Sequence, residues 1–276
     1  MRFASVLHDG QPHAVAIENE TAIPLADIAE LGAHTPTELL RDPPLNREAA
    51  FALSEATVRP LIPRPGKVIC VGLNYKAHIE ETHRDESDYP VLFTKFATSL
   101  TGAYDTIACP PESAAIDYEG ELAVVIGAPA RRLDPARALD AVAGYTVAND
   151  VTMRDYQYRT HQWLQGKAWD ASTPLGPALV TPDEAPDPGT LTLRTLINGA
   201  VVQESTTDLM IFPVPTLISV ISQFITLAPG DVILTGTPAG VGFRREPQLL
   251  MTDGDVAVVE LDGIGRTENR FAAESS

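Results

Sequence analysis

Cysteine, basic residues and long apolar runs are all scarce in this sequence of 276 residues, and each absence excludes a class of protein. The two cysteines, Cys70 and Cys109, lie far apart, which excludes a disulfide framework or a cysteine zinc site. A total of 20 basic against 37 acidic residues gives a net charge of −17, which repels nucleic acid and anionic membranes. No run of about 18 apolar residues marks a membrane span, and the first residues do not form a signal peptide. We therefore expect a cytoplasmic protein whose partners are neither nucleic acids nor membranes.

The composition fits a globular protein, since 44% of the residues are hydrophobic and can form a large buried core. Strand-like segments outnumber helical ones, which predicts a β-rich α+β fold. Three prolines and a glycine between Pro60 and Gly66 suit neither a helix nor a strand. We therefore divide the chain into a small N-terminal α+β domain, residues 1–62, and a large domain, residues 63–276. Short helical stretches are expected at 27–31 and 36–40.

Several elements of the large domain have their own signals. The polar stretch 76–88 is a candidate lid, and Asp134 followed by Pro135 is typical of a helix start. The pair Asn198-Gly199 predicts a tight turn between two strands. An amphipathic helix follows, whose predicted apolar face consists of Leu217, Ile218, Ile221, Phe224 and Ile225.

Three carboxylates dominate the chemistry of the sequence: Glu119 and Glu121 at the start of an apolar strand, and Asp150 at the end of another. We call them the carboxylate trio. Side chains at i and i+2 of a strand share a face, so Glu119 and Glu121 repel each other unless a cation lies between them. With no soft ligand nearby, Mg²⁺ or Mn²⁺ is favoured over zinc. The alternative is a pair of solvated glutamates and a turn aspartate, and the trio alone does not choose between the two.

His78 and Glu81 form a second candidate group, within the possible lid. If this stretch is helical, positions i and i+3 share a face, and the carboxylate can orient the imidazole as a general base. The alternative is an exposed polar helix with an incidental histidine.

Cationic and amide side chains offer a third group. Arg154 and Gln157, also at i and i+3, place a cation beside an amide donor, as a developing oxyanion requires. Lys167 follows Gly166, which lets the backbone approach a ligand closely. A surface ion pair for Arg154 and an exposed loop position for Lys167 are the alternatives.

The glycine-rich loop, residues 234–242, invites comparison with phosphate-binding loops. It lacks the Gly-Lys-Ser/Thr ending of a nucleotide loop and the glycine spacing of a dinucleotide site. We interpret it as a ligand-facing turn with Thr237 as a hydroxyl donor, and a purely structural turn is the alternative. The remaining histidines show no metal-binding spacing: His8, His13, His34, His83 and His161.

Together these segments resemble the fumarylacetoacetate hydrolase family, in particular its acylpyruvase and fumarylpyruvate hydrolase branch, from residue 67 to the last strand. The matching segments are Gly-x-Asn-Tyr-x-x-His-x-x-Glu at 72–81, Asp-Tyr-Glu-x-Glu-Leu at 117–122, Asn-Asp-x-Thr-x-Arg-Asp-x-Gln at 149–157, Gly-Lys-x-x-Asp at 166–170, Pro-Leu-Gly-Pro at 174–177 and Thr-Gly-Thr-Pro-x-Gly-Val-Gly at 235–242. Their order and spacing both fit the family pattern.

The resemblance implies roles for ten residues. Glu119, Glu121 and Asp150 would bind Mg²⁺ or Mn²⁺; His78, Glu81 and Lys167 would be catalytic; and Tyr75, Arg154, Gln157 and Thr237 would contact substrate. It also implies a β-rich roll or sandwich for the large domain, and a homodimer.

The implied activity is metal-dependent hydrolysis of a carbon–carbon bond in a 2,4-diketo acid of the acylpyruvate or fumarylpyruvate type, as in aromatic catabolism. His78 would activate water, and Lys167, Arg154 and Gln157 would stabilise the oxyanion. Two alternatives use the same site: decarboxylation of oxaloacetate, and isomerisation of an acid such as 2-hydroxyhepta-2,4-diene-1,7-dioate. A non-catalytic binder of small molecules is a third reading, which predicts that His78→Ala leaves function unchanged.

Overall fold

The computed structural model describes residues 1–274 of the chain. Its strands are β1 (Arg2–His8), β2 (Gln11–Glu18), β3 (Thr21–Pro24), β4 (Phe51–Ala52), β5 (Thr57–Val58), β6 (Val68–Gly72), β7 (Val91–Lys95), β8 (Leu100–Thr101), β9 (Ile107–Cys109), β10 (Ile116–Asp117), β11 (Gly120–Ile126), β12 (Val142–Asn149), β13 (Thr152–Met153), β14 (Thr173–Val180), β15 (Thr192–Ile197), β16 (Ala200–Thr206), β17 (Val232–Leu234), β18 (Val256–Leu261) and β19 (Gly265–Ala273). Its α-helices are α1 (Thr37–Arg41), α2 (Lys76–Thr82), α3 (Arg154–Gln157), α4 (Leu164–Lys167) and α5 (Val214–Phe224). None of the helices in this part of the chain is long and apolar enough to cross a membrane.

Two sheets organise the molecule. Among the described residues the larger sheet has 12 strands, and its main path runs β4-β3-β2-β1-β14-β12-β11-β17-β6-β7, with β5 beside β1 and β8 beside β14. The second sheet runs β16-β15-β18-β19-β9, and β10 pairs separately with β13. This strand-rich architecture with few helices confirms the predicted α+β class.

The central strand β11 explains how the layers are held together. All of its residues are buried, and the alternation of a strand sends successive side chains to opposite faces. Leu122, Val124 and Ile126 pack in one apolar cluster with α5 and the second sheet. Ala123 and Val125 pack in another cluster with residues of the N-terminal segment. The sheet is therefore covered on both faces at this strand, whose first residues lie at the site described below.

The strands of the N-terminal segment continue the large sheet. β1 pairs antiparallel with β14, with Arg2 opposite Val180 and Phe3 opposite Leu179. The division of the chain at residue 62 stays a prediction. Neither Cys70, which is buried, nor Cys109, which is half-buried, forms a disulfide.

Local predictions had mixed outcomes. The helix expected at 27–31 is wrong: Asp27 has φ of +60°, which a right-handed helix cannot contain. The stretch at 36–40 corresponds to α1. Asp134 caps its helix by accepting a hydrogen bond from the Ala136 N–H at 2.9 Å, although that helix is 3₁₀. Asn198 and Gly199 form the predicted turn, both with positive φ.

The apolar face of α5 is shorter than predicted. Leu217, Ile218 and Ile221 are fully buried, but Phe224 is 58% exposed. The helix ends at Phe224, and no following turn covers its ring. Ile225 lies beyond the helix.

Candidate active site

The carboxylate trio converges where β11 and β12 meet. Gly120 of β11 lies opposite Asn149 of β12, and the Asp150 N–H donates to the Glu119 carbonyl at 2.8 Å. This register brings Asp150 beside the two glutamates, and ligand atoms of all three carboxylates lie within 4.8 Å of one another. All three side chains are buried. The alternative of solvated carboxylates at a strand edge is therefore wrong.

Three buried cations surround the trio. Lys167 Nζ donates to Glu119 Oε2 at 2.6 Å and to Asp150 Oδ2 at 2.8 Å. Lys95 Nζ donates to Asp150 Oδ1 at 2.6 Å, and Arg154 Nη2 lies 2.6 Å from Glu119 Oε1. Lys167 belongs to the short helix α4 and is 2% exposed, so the exposed-loop alternative does not hold.

These cations act unequally on the two glutamates. Burial raises the pKa of Glu119, but Lys167 and Arg154 outweigh it and lower that pKa to about 2. Burial also raises the pKa of Glu121, and the charges of Asp150 and Glu119 raise it further, to well above the usual value. Glu121 is thus the carboxylate whose charge the protein itself neutralises least.

The donor set fits a hard divalent cation. Four buried carboxylates, those of the trio and Asp117, face three buried cations, Lys95, Arg154 and Lys167. One negative charge is left over, and Mg²⁺ and Mn²⁺ prefer carboxylate oxygens. The lysine contacts do not preclude coordination, because each carboxylate oxygen has two acceptor lone pairs. The trio could therefore hold such an ion.

His78 and Glu81 form the expected pair on α2. His78 Nδ1 lies 2.7 Å from Glu81 Oε1, and the side chains are 8% and 22% exposed. The second carboxylate oxygen of Glu81 accepts a hydrogen bond from the Gly240 N–H at 2.9 Å. The carboxylate is thus held from both sides and fixes the orientation of the imidazole. The pair is mostly buried, unlike an incidental histidine on an exposed helix.

The glycine-rich loop contacts the protein's own carboxylates. The Gly236 N–H donates to Glu121 Oε2 at 2.7 Å, the Gly240 N–H to Glu81, and the Gly242 N–H to Asp117 Oδ1 at 2.7 Å. Gly236 and Gly240 have φ of +99° and +105°, values that favour glycine. The loop therefore connects the trio to the His78–Glu81 pair through its backbone, a role that the sequence did not suggest.

Asp117 is buried. It belongs to the motif at 117–122, but no role was predicted for it. Its Oδ2 accepts hydrogen bonds from Arg154 Nε at 2.8 Å and from the Phe243 N–H at 3.0 Å. Its Oδ1 accepts the Gly242 N–H. Burial raises the pKa of Asp117, against the opposing charge of Arg154. Asp117 thus fixes both the Arg154 guanidinium and the end of the glycine-rich loop.

Arg154 and Gln157 lie together, as their spacing predicts. Arg154 Nη1 donates to Gln157 Oε1 at 2.9 Å, and the remaining guanidinium nitrogens face Asp117 and Glu119. Arg154 is buried rather than part of a surface ion pair. Most of its donors already have carboxylate partners, while the amide nitrogen of Gln157 makes no hydrogen bond within residues 1–274.

Thr237 and Tyr75, the two other residues predicted to contact substrate, are both buried. Thr237 is buried, and its hydroxyl accepts a hydrogen bond from Gln203 Nε2 at 2.8 Å. Tyr75 is 2% exposed and packs in the main apolar cluster, where burial raises its pKa. Its hydroxyl has no hydrogen-bond partner among the described residues. Substrate contact by either residue stays a prediction.

A small cavity lies beside His78 and Arg154. Its lining includes His78 and Arg154 on the inner side, and an outer rim formed by Arg84, Tyr158, Trp163, Phe243 and Arg244. Its volume is about 30 Å³, the space of one or two waters.

Lys95 and Arg244 were missed by the sequence analysis. A lysine at the end of the apolar strand β7 was a usable signal for Lys95, because a charge in such a position needs a partner. Arg244 follows the glycine-rich loop closely, but one of two adjacent arginines gives no signal of its own.

Comparison with known proteins agrees with the geometry. Residues 67–272 match the family described as fumarylacetoacetate (FAA) hydrolase, C-terminal. The mitochondrial oxaloacetate tautomerase of Homo sapiens is 46% identical over 219 residues, covering 79% of this chain and 70% of that protein.

Two of the similar solved structures illustrate a match over almost the whole chain. The 5-carboxymethyl-2-hydroxymuconate delta-isomerase of Mycobacterium smegmatis matches with 34% identity and a TM-score of 0.85, over 99% of this chain and 100% of that one. The fumarylacetoacetate hydrolase of the psychrophilic Exiguobacterium antarcticum matches with 36% identity and a TM-score of 0.86, over the same shares.

Proposed function

This chain belongs to the fumarylacetoacetate hydrolase family, and we propose that it is a divalent-metal-dependent tautomerase that interconverts the keto and enol forms of a small 2-oxo acid. The observation that carries the proposal is a shared cavity. His78, which is paired with Glu81, and Arg154, which contacts Glu119 of the carboxylate trio, line the same space. A proton-transfer group and a candidate cation site are thus adjacent.

Oxaloacetate is the first substrate to test, because a relative with 46% identity is named an oxaloacetate tautomerase. In the forward reaction the C–H bond beside the 2-oxo group breaks, its electrons form a C=C bond, and the proton ends on the oxygen. No water is consumed. The reaction therefore needs one group that takes a proton from carbon and returns it. It also needs positive charge or N–H donors that stabilise the negative oxygen of the enolate.

His78 suits the proton transfer. Its Nδ1 faces Glu81, so the neutral ring carries its proton on Nδ1 and leaves Nε2 as the base. Lys167 uses two of its three N–H donors on Glu119 and Asp150, which leaves one for a substrate oxygen. Mg²⁺ or Mn²⁺, when bound by the carboxylate trio, would supply Lewis-acid polarisation of the 2-oxo group.

Hydrolysis of a 2,4-diketo acid is the second candidate. The similar structure named a fumarylacetoacetate hydrolase favours it, and the free amide nitrogen of Gln157 is a donor that an oxyanion could use. Against it, Arg154 has most of its donors bound to carboxylates. Decarboxylation of oxaloacetate uses the same residues and is the third outcome to measure.

One substrate panel separates these reactions. The purified protein with Mg²⁺ is incubated with oxaloacetate, and the enol is followed by ultraviolet absorbance while pyruvate is assayed enzymatically. Acetylpyruvate and fumarylpyruvate are followed by loss of diketo absorbance. We expect faster keto–enol exchange without pyruvate release, abolished by EDTA. Cleavage of the diketo acids without faster exchange would replace the proposal with the hydrolase.

Two further expectations belong to this proposal. We propose that the protein is a homodimer, which size-exclusion chromatography with light scattering tests directly. A monomer at micromolar concentration would contradict it. The cytoplasmic location stays a prediction that fluorescent tagging in the source cell would check.

A further inference from the structure

The outer rim of the site cavity contains two arginines among three aromatic rings. Arg244 lies with its guanidinium carbon 5.7 Å from the Phe243 ring centroid and 5.9 Å from that of Tyr158. The Arg84 guanidinium carbon is 6.0 Å from the Trp163 ring. The aromatic faces favour these cations without consuming their N–H donors.

Neither rim arginine forms an ion pair with any residue from 1 to 274. The chain has 37 acidic side chains, and the buried cations Lys95, Arg154 and Lys167 each contact one or more of them. Arg244 Nε is buried without a hydrogen-bond partner. A buried N–H donor without a partner lowers the stability of the protein. The Arg244 guanidinium can therefore donate hydrogen bonds to a ligand.

Arg244 is also held in place. It ends the 3₁₀ helix Gly242–Arg244, and the first two residues of that helix donate their backbone N–H groups to Asp117. The same Asp117 fixes Arg154 at the inner side of the cavity. A single buried carboxylate therefore binds the Arg154 side chain and anchors the backbone of the two residues before Arg244.

We propose that Arg244, assisted by Arg84, binds a second carboxylate of the substrate, at the end remote from the carboxylate trio. The planar guanidinium matches a carboxylate with two parallel hydrogen bonds. Arg244 is thereby a specificity-determining residue, and it selects small 2-oxo dicarboxylic acids over 2-oxo acids with a neutral tail. This inference rests on the proposed function for the orientation of the substrate.

The kinetic test compares oxaloacetate with the amide of its distal carboxyl group, which has nearly the same shape but no second charge. Arg244→Ala is expected to lower kcat/KM for oxaloacetate by about 10- to 100-fold, mainly through KM, and to leave the amide unaffected. Arg244→Lys keeps the charge without the planar fork and should recover part of the loss. Arg84→Ala should act in the same direction more weakly.

A matched control removes the same charge elsewhere. Arg159 is exposed and stacks on Tyr156, with 3.6 Å from its guanidinium carbon to the ring centroid. Arg159→Ala should leave the preference for oxaloacetate over its amide unchanged. Thermal unfolding of each variant verifies that it is folded.

A binding test separates failure of this inference from failure of the proposed function. Calorimetry with malate and with its distal amide, both in Mg²⁺, requires no turnover. We expect the wild type to bind malate more tightly, and Arg244→Ala to erase that difference. Equal losses on both ligands, or a preserved preference in the variant, would overturn the role of Arg244. If the wild type shows the preference but tautomerises neither substrate, the proposed function fails and the carboxylate site stands.

Discussion

Lys95 Nζ lies 2.6 Å from Asp150 Oδ1, and neither side chain has exposed surface. The two residues are 55 positions apart. Lys95 is the last residue of β7, and Asp150 directly follows β12. The contact places a fixed positive charge against a member of the carboxylate trio.

Removing this lysine should destabilise the protein. Lys95→Met leaves Asp150 with less compensation for its buried charge, and we expect a loss of about 3–5 kcal/mol in the free energy of unfolding without metal. Mg²⁺ would partly replace the missing charge, so the loss should shrink when the ion is present. Urea unfolding with and without Mg²⁺ measures both, and Lys76→Met on the exposed side of α2 is the control. An equal loss in both conditions would contradict a cation at the trio.

Neutralising Glu119 and neutralising Glu121 should change the stability of the protein in opposite directions. The pKa of Glu119 is lowered from 4.5 to about 2, so its charge adds roughly 3 kcal/mol to stability at neutral pH, which is lost as pH falls from about 4.5 to about 2. The pKa of Glu121 is raised by burial and by Asp150 and Glu119. Its ionisation therefore costs stability as pH rises above 4.5.

Without metal at neutral pH, Glu119→Gln should lower Tm and Glu121→Gln should raise it, by about 2–4 °C for each 1 kcal/mol. Both variants should lose the thermal stabilisation by Mg²⁺. Differential scanning calorimetry between about pH 2 and about pH 8, a range that includes the lowered pKa of Glu119 and the region above 4.5 where Glu121 acts, tests this. If both substitutions move Tm in the same direction, the assigned charge balance is wrong.

The His78–Glu81 pair should control turnover. His78→Ala removes the proposed base and should lower kcat by about 10²- to 10⁴-fold. Glu81→Gln should lower kcat by less, because the imidazole remains but loses the charge that orients it. Glu80→Gln, at the neighbouring exposed position, is the matched control. Steady-state kinetics measures kcat for each variant. An unchanged kcat in His78→Ala would support the non-catalytic binder instead.

Gly240 is expected to tolerate no side chain. A Cβ there would lie 2.3 Å from the Val202 carbonyl oxygen, and the N–H that holds Glu81 would be displaced. Gly254 has a similar φ of +94° but open space around it, so Gly254→Ala should cost only the strain of its backbone, about 1–2 kcal/mol. Gly240→Ala should lose more stability and much of kcat. Equal effects of the two substitutions would contradict the loop's role in holding the pair.

Local chemistry was predictable because it depends on short spacings. The i and i+2 positions of Glu119 and Glu121, and the i and i+3 positions of His78 and Glu81, place each pair on one face of an element. Repeating apolar residues likewise identified β11 and most of α5. The helix expected near Asp27 failed, since its left-handed backbone conformation is set by the surrounding turn.

Distant contacts were not predictable in the same way. Nothing near Lys95 in sequence names Asp150 as its partner, and the carboxylate contacts of the glycine-rich loop come from strands and helices elsewhere in the chain. Arg244 Nε has no hydrogen-bond partner in the described part of the chain, and this too depends on everything that surrounds it in the fold.

The sequence by itself determined which side chains could bind a hard cation and which pair could transfer a proton, because residue type and short spacing decide both. Only the tertiary structure decided how the charges are balanced. Strand register and burial determine which cations reach each carboxylate, so Glu119 is stabilised as an anion, Glu121 is not, and Arg244 Nε has no hydrogen-bond partner among residues 1–274.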